Sequence, residues 1–195
     1  MANLEIENVI VASHLGKDIE LIKLATELPN ARYSSSGNPS VIIELDRTNP
    51  KFIGHKRLKA AGVLFGNGKV LVTGIASLQE GKEIISKLKD SIRNIDPKIS
   101  TKRAAKIENM VTRMNFRKKL DLQTISNAIP GSEYDPLRFQ GLIIRVNKPL
   151  ASFILFETGI AIITDIVSEA KAKKAFKELS NLVETIILSW PKKNF

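Results

Sequence analysis

The sequence "IENMVT" at residues 107–112 repeats "IENVIV" at residues 6–11, at a spacing of 101 residues. Asparagine disfavours β-strands, yet Asn8 and Asn109 each lie inside an apolar, strand-like run. The same unusual residue in two similar runs indicates two copies of one structural unit. Either the two asparagines only shape a turn or bulge, or they do the same work on two halves of one surface.

The similarity continues along the chain. Beyond residue 60 the spacing falls to 91, so the first copy holds about ten additional residues, most simply around residues 47–59. We therefore divide the chain into a first repeat, residues 1–97, and a second repeat, residues 98–195. The matched pairs include Lys17 with Lys118, Leu21 with Leu122, Tyr33 with Tyr134, Phe65 with Phe156, Gly68 with Gly159 and Thr73 with Thr164.

Each repeat has the same predicted elements: a strand, a short helix, three strands and a long helix. Ser77 and Glu80 form a capping-box pattern at the start of the first long helix, and the second begins near Ser168. This order predicts an α+β fold with the helices on one face of an antiparallel sheet. The predicted strands are residues 4–12, 40–46, 60–65 and 69–74, then 106–114, 141–147, 151–156 and 160–165; the short helices are 18–28 and 121–129.

The other face of the predicted sheet is also apolar. A half-covered sheet normally alternates apolar and polar residues, but here both sets are largely apolar, with Val63 and Phe65 on one and Leu64 and Val72 on the other. Such a face is buried either in the fold or against a partner. An apolar face with few polar groups, rimmed by basic residues, suits the DNA minor groove.

Composition narrows the class of protein. The net charge is +10, of which the first repeat carries +2 and the second +8. This favours a polyanionic partner, with a basic, solvated surface as the alternative. The chain has no cysteine, no apolar run of about 20 residues and no signal-peptide pattern, so we expect an intracellular protein with no membrane association. His14 and His55 lack metal-ligand spacing and no catalytic motif appears, so we expect no metal, no cofactor and no enzyme activity.

Several segments together resemble the TATA-box-binding protein (TBP) family over nearly the whole chain. The resemblance implies a tandem-repeat saddle, with a curved antiparallel sheet of about ten strands and four helices on the convex face. The resemblance leaves open whether the protein, when free of DNA, is a monomer or a homodimer. The segments that carry it are "IENMV", "GVLFGNGKVLVTG" (62–74), "SEYDPLRFQGLIIRVNKP" (132–149) and "FILFETG" (153–159).

The resemblance assigns DNA-binding roles to residues of both repeats. Asn8 and Asn109 match central asparagines that hydrogen-bond adenine N3 and thymine O2, while Ile10 and Val111 leave no room for the guanine amino group. Phe139 and Phe156 match a pair of wedge residues that unstack a base step; the alternative for both is a place in the core. The other matching positions are Phe65, Lys69, Leu71, Thr73, Arg145, Ile154, Ile162 and Thr164.

The first repeat departs from the family pattern at its rim. Asn38 stands where a second wedge phenylalanine is expected. Glu44, which would repel a phosphate, stands at the position equivalent to Arg145, where the resemblance predicts a phosphate contact. The second repeat has Asp165 in place of a glycine. Its turn "EYDPLRF" also differs from the family at the expected contact with transcription factor IIB, which maps to Asp135, Leu137 and Arg138.

The additional residues fall in the connection that flanks DNA in the family. Lys51, Phe52, Lys56 and Arg57 lie there. Either this longer basic loop takes over DNA contact from Asn38 and Glu44, or it is a solvated surface loop.

The resemblance thus predicts a general transcription initiation factor. It would bind an A·T-rich promoter element and recruit a transcription factor IIB homologue and RNA polymerase, in the cytoplasm of an archaeon or the nucleus of a eukaryote. The alternative is a TBP-like paralogue that acts mainly through protein interaction and binds DNA weakly. A third interpretation, the substrate-binding module of a nucleic-acid enzyme, would need a catalytic domain.

Overall fold

The computed structural model describes residues 4–46, 59–100, 103–147 and 150–189. Within these ranges there are ten strands and four helices; the helices and eight of the strands follow the predicted order, so the α+β tandem-repeat prediction is confirmed. The first repeat contains β1 (Glu5–His14), α1 (Leu21–Glu27), β2 (Ala31–Ser34), β3 (Ser40–Leu45), β4 (Ala60–Phe65), β5 (Lys69–Ile75) and α2 (Leu78–Ile95). The second contains β6 (Lys106–Asn115), α3 (Leu122–Ala128), β7 (Glu133–Asp135), β8 (Phe139–Asn147), β9 (Leu150–Phe156), β10 (Ile160–Ile166) and α4 (Glu169–Ser189).

The strands of each repeat pair in the same antiparallel order. In the first repeat the order is β2-β3-β4-β5-β1, and in the second it is β7-β8-β9-β10-β6. The edge strands β2 and β7 have only four and three residues and were not among the predicted strands. Their mainly polar sequences carry no run of alternating apolar residues, so the neighbouring strand places them. By contact, the chain divides into one compact unit, Asn8–Glu108, and another that joins Met1–Glu7 to Asn109–Phe195.

The two faces of each sheet differ sharply in burial. Leu64, Val70 and Val72 are fully buried, whereas Phe65 and Leu71, on the opposite face, are only half-buried. The helices lie on the buried face, because α2 packs on β5 and α4 packs on β10. Although both faces carry apolar residues, only the face that the helices cover forms part of the core. We call the face opposite the helices the open face of each repeat.

The long helices begin as the sequence predicts. The Ser77 hydroxyl accepts a hydrogen bond from the Glu80 amide at 3.1 Å, and the Glu80 carboxylate accepts one from the Ala76 amide at 2.9 Å. At the start of α4, the Ser168 hydroxyl accepts from the Lys171 amide at 3.3 Å. Within the described ranges, neither long helix, nor any shorter one, is apolar enough over sufficient length to cross a membrane.

Helix α2 packs closely on its sheet at a glycine. A Cβ atom on Gly81 would lie 2.6 Å from Val11 Cγ2 and 2.9 Å from Ile75 Cδ1, too close for any side chain. The equivalent residue of the second repeat is Ala172, which is fully buried. The two repeats therefore differ by one carbon atom at the same helix–sheet contact.

A buried lysine distinguishes the first repeat. Lys89 is only 4% exposed, and its Nζ donates to Ser13 Oγ at 2.8 Å and to the Arg103 carbonyl at 3.0 Å. Burial lowers the pKa of Lys89 because the charged form is poorly solvated. In the second repeat, Ser180 is equivalent to Lys89 and Met114 is equivalent to Ser13. The lysine thus fastens the segment between the repeats to α2 and β1.

Candidate nucleic-acid interface

The asparagine of "IENVIV" lies beside a bulge on the open face. One residue of β1, Ile10, lies opposite two residues of β5, Thr73 and Gly74. The Asn8 Oδ1 accepts a hydrogen bond from the Gly74 amide at 2.8 Å, and its Nδ2 donates to Thr73 Oγ1 at 3.0 Å. Gly74 has a φ of 77°, a conformation that favours glycine. The asparagine side chain thus satisfies a backbone group that the bulge removes from the sheet ladder.

The second repeat has the same arrangement. Val111 of β6 lies opposite Thr164 and Asp165 of β10. The Asn109 Oδ1 accepts from the Asp165 amide at 3.0 Å, and its Nδ2 donates to Thr164 Oγ1 at 3.1 Å. Asp165 has a φ of 63°, which is uncommon for a residue with a side chain. The two asparagines therefore shape a bulge in each repeat, as one of the two sequence interpretations predicted.

This structural role does not use all the hydrogen-bonding capacity of the asparagines. The backbone amide of Gly74 or Asp165 donates to Oδ1 and so fixes the position of that oxygen. The position of Nδ2 on the other side of the asparagine side-chain amide is then fixed as well. Nδ2 carries two hydrogens, and the threonine accepts one of them. The other can be donated to an acceptor on a ligand. The amide plane is held by two contacts in each repeat, so this donor is pre-oriented.

Apolar side chains surround each asparagine on the open face. They are half-buried although no helix covers them. Three of them, Ile42, Val63 and Ile143, were not among the predicted DNA contacts, although the repeat offsets pair Val63 with Ile154 and Ile42 with Ile143. The half-buried apolar residues of the open faces are Ile10, Ile42, Val63, Phe65, Leu71, Val111, Ile143, Ile154, Phe156, Ile160 and Ile162.

The two phenylalanines of the second repeat form a pair. The rings of Phe139 and Phe156 lie 6.1 Å apart in an edge-to-face arrangement, and Phe139 is 44% exposed. Phe139 is therefore not a core residue. A Cβ on Gly141 would lie 2.6 Å from Phe139 Cε1, so only glycine at this position lets the ring lie there. Gly141 lies in the segment "SEYDPLRFQGLIIRVNKP", but the sequence alone did not predict this role.

The first repeat lacks both parts of this arrangement. Asn38 occupies the position of Phe139 and is exposed, while Ser40, a buried residue, occupies the position of Gly141. Ser40 lies opposite Phe65 in the sheet. At these positions the first repeat therefore has Phe65 without a second phenylalanine beside it, and a serine in place of the glycine.

The charges at the rim also differ between the repeats. Arg145 forms an ion pair with Glu133 in the second repeat, whereas Glu44 pairs with Lys59 at 2.8 Å in the first. The hydrogen bond from Lys59 lowers the pKa of Glu44, and Glu44 in turn raises the pKa of Lys59. The repulsion of phosphate that Glu44 predicts from sequence alone is therefore partly balanced. Lys69, also a predicted DNA contact, pairs with Glu108 at 2.6 Å.

The turn between β7 and β8 exposes the residues expected to bind a protein partner. Asp135 Oδ1 accepts from the Leu137 amide at 3.1 Å, and its carboxylate lies 3.4 Å from Arg138 Nε. Leu137 is 97% exposed. The turn thus holds an apolar side chain fully in solvent. Lys51, Phe52, Lys56 and Arg57 of the additional segment lie outside the described residues.

Comparison with known proteins identifies the family. The family described as "Transcription factor TFIID (or TATA-binding protein, TBP)" matches residues 3–95 and 104–186, which is both repeats. The chain belongs to the TBP family. This is a family of DNA-binding transcription factors and not of enzymes.

Archaeal members and a solved structure agree with this assignment. The TATA-box-binding protein of Methanothermobacter thermautotrophicus is 31% identical over 88% of this chain and 89% of its own length. That of Pyrococcus furiosus is 30% identical over 90% and 87%. The structure of Methanococcus jannaschii TBP matches with a TM-score of 0.79 and 29% identity, over 94% of this chain and 99% of that one. The predicted TBP fold is thereby confirmed.

Proposed function

We propose that the protein is a general transcription initiation factor that binds an A·T-rich promoter element through the minor groove. Each open face would contact one half of the element. The proposal rests above all on the duplicated asparagine–threonine cluster, which presents an oriented amide donor within an apolar surface in both repeats. Membership of the TBP family supports it.

The chemistry of the clusters fits A·T pairs. In the minor groove an A·T pair offers only acceptors, adenine N3 and thymine O2, whereas a G·C pair adds the guanine N2 amino donor. An asparagine Nδ2 can donate a hydrogen bond to adenine N3 or thymine O2. It cannot bond the guanine amino group, because both groups are donors. The apolar neighbours Ile10 and Val111 can contact sugars and base edges but offer nothing to that amino group.

The phenylalanines are suited to deform the DNA. Inserting an apolar wedge between base pairs costs stacking energy, which is offset when the bent duplex contacts more protein surface. Phe139 and Phe156 form a pair on the second repeat, and among the described residues of the first repeat Phe65 has no such aromatic partner. We therefore propose an asymmetric kink, stronger at the end of the element that the second repeat contacts.

The same proposal names the protein partners. The exposed Leu137, in the turn organised by Asp135 and Arg138, would bind a transcription factor IIB homologue, which in turn recruits RNA polymerase. In the absence of DNA, the apolar open faces would associate in a homodimer. The relatives named above are archaeal, so we place the protein in the cytoplasm of an archaeal cell.

Binding of two duplexes of equal length, one with a TATA element and one rich in G·C, tests the function. Affinity measured by fluorescence anisotropy at several salt concentrations should favour TATA, and end-labelled duplexes should show bending by energy transfer. A steep salt dependence without sequence preference would contradict the proposal and support a paralogue that works mainly through protein contacts.

One variant isolates the amide donor. Asn8→Asp keeps the oxygen that accepts from the Gly74 amide but replaces the donor with an acceptor that repels N3 and O2. TATA affinity should fall roughly 10- to 100-fold. Asn94→Asp makes the same charge change at an exposed position of α2 and should have little effect. Equal losses in the two variants would show that charge alone, and not the amide, determines affinity.

The additional segment needs a separate test. Deletion of residues 51–58 should weaken TATA binding if the basic loop contacts DNA in place of Asn38 and Glu44. Unchanged affinity and bend would show that the segment is a solvated loop.

A further inference from the structure

A carboxylate lies at the bulge on the open face of the second repeat. The first repeat has no carboxylate at the equivalent position. Asp165 follows Thr164 in the bulge of β10, and the equivalent residue of β5 is Gly74. Both residues have a positive φ, 63° and 77° respectively. The backbone is thus the same in the two repeats, but the second repeat places a charged side chain where the conformation favours glycine.

A serine holds this carboxylate on the open face. Ser152 Oγ donates a hydrogen bond to Asp165 Oδ2 at 2.6 Å. Ser152 pairs across the sheet with Thr164 and shares a face with Ile154 and Phe156. Asp165 is exposed and forms no ion pair with any residue in the described ranges.

Three neighbouring positions around the bulge differ between the repeats. Ala61 and Gly74 of the first repeat correspond to Ser152 and Asp165, so the hydrogen-bonded pair exists only in the second. Opposite the bulge, the first repeat has Ile10 and the second has Val111, which is smaller by one carbon. The second repeat therefore combines an acceptor with additional space beside it.

A carboxylate in the minor groove is suited to only one base pair. An ionised carboxylate is an acceptor only, so it repels the acceptors N3 and O2 that line an A·T pair. The guanine N2 amino group is the one donor that the minor groove contains. A hydrogen bond between this amino group and a carboxylate is charge-assisted and stronger than a neutral one.

We propose that Asp165, oriented by Ser152, makes the second repeat accept a G·C pair at one position of an otherwise A·T-rich element. The first repeat excludes G·C throughout, so the G·C pair fixes the orientation of the protein on its DNA. This inference rests on the proposed function, because it requires binding in the minor groove.

Inosine provides the test. An I·C pair lacks the N2 amino group and offers the groove the acceptors of an A·T pair. Each position of the TATA duplex is replaced in turn by G·C or by I·C, and the ratio of the two affinities measures the effect of the amino group alone. At one position in the half bound by the second repeat, G·C should bind roughly tenfold more tightly than I·C. Elsewhere I·C should be favoured.

Variants then assign the effect to the carboxylate. Asp165→Gly should make I·C favoured at every position, and Ser152→Ala should weaken the preference for G·C by several-fold. Asp90→Asn, which removes an exposed carboxylate from α2, serves as the control for charge and should leave the ratio unchanged. If Asp165→Gly instead raises affinity equally for every duplex, the carboxylate only repels DNA and the inference is wrong.

Orientation gives a second measurement on the same complexes. The chain has no cysteine, so Lys174→Cys on α4 provides one dye site, and energy transfer to either DNA end reports orientation. Moving the G·C pair to the mirror position should invert the major orientation. If the protein favours I·C everywhere but still prefers TATA to the G·C-rich duplex, this inference fails while the proposed function stands. Loss of the TATA preference would overturn the function itself.

Discussion

The two repeats are nearly identical at their bulges and differ at their rims. Asn8 accepts from a backbone amide at 2.8 Å and donates to a threonine at 3.0 Å; for Asn109 the distances are 3.0 and 3.1 Å. These contacts hold the bulges in β5 and β10. The asparagine and threonine side chains that shape the bulges are thus the same in the two repeats.

At the rims, by contrast, neighbouring residues differ together. Asn38 and Ser40 of the first repeat stand where the second has Phe139 and Gly141. Glu44, which pairs with Lys59, stands where the second repeat has Arg145, which pairs with Glu133. The comparison therefore separates what the fold requires from what a ligand could select.

The largest expected difference concerns the phenylalanines. Phe139→Ala should lower TATA affinity roughly 10- to 100-fold and reduce the bend, because a stacked aromatic ring contributes about 1–3 kcal/mol. Phe65→Ala should have a smaller effect, since Asn38 stands in the first repeat where Phe139 pairs with Phe156 in the second. Anisotropy and energy transfer measure both. Equal effects of the two variants would show that the kink is symmetric.

A difference in helix packing should appear in stability. Gly81→Val introduces atoms where Val11 and Ile75 already lie, and should lower the free energy of unfolding by about 1–3 kcal/mol. Ala172→Gly removes one carbon from the same contact of the second repeat and should cost about 1 kcal/mol. Urea denaturation followed by circular dichroism compares them. An unchanged midpoint for Gly81→Val would mean that α2 can move away from the sheet.

The rim charges should change the salt dependence of binding. Removing a phosphate contact with Arg145→Gln should reduce the slope of log affinity against log salt by about 0.9. Glu44→Gln releases Lys59 and should steepen the slope by up to about the same amount. Glu178→Gln, at an exposed position of α4, should not change it. If Glu44→Gln also leaves the slope unchanged, the rim of the first repeat does not approach phosphate.

The smallest effect concerns Lys89. Burial lowers its pKa in the folded protein below the ordinary value of 10.5, so between the two pKa values the unfolded chain binds more protons. The contribution of Lys89 to stability should therefore rise with pH across that window. Wild type should gain stability relative to Lys89→Met as pH is raised toward 10.5, as measured by urea denaturation. Lys87→Met, at an exposed neighbouring position, should follow wild type at every pH.

Sequence patterns were sufficient to predict most of the fold. Short apolar runs on either side of the turns "FGNGK" (65–69) and "FETGI" (156–160) predicted the strands β4, β5, β9 and β10. The change in spacing between the repeats showed where the first repeat holds its additional residues. The edge strands β2 and β7 escaped prediction, since short polar strands form only because a longer neighbour offers free backbone groups.

The site was harder to predict where it depends on contacts distant in sequence. The asparagines were found, but the residues they bond, Gly74 and Asp165, depend on a bulge that no local pattern reveals. The role of Gly141 depends on the ring of Phe139, and the Ser152–Asp165 hydrogen bond depends on the register of β9 and β10. Ion pairs such as Glu44–Lys59 join exposed side chains and leave no periodic signal.

The buried lysine also makes the segment between the repeats part of the packing of the first repeat. Lys89 is satisfied by the carbonyl of Arg103, a residue of that segment. The equivalent residue of the second repeat is Ser180. Moving the segment away from α2 would leave the ammonium group buried with one partner fewer, which is costly. The stability of α2 therefore depends on the position of the connecting segment.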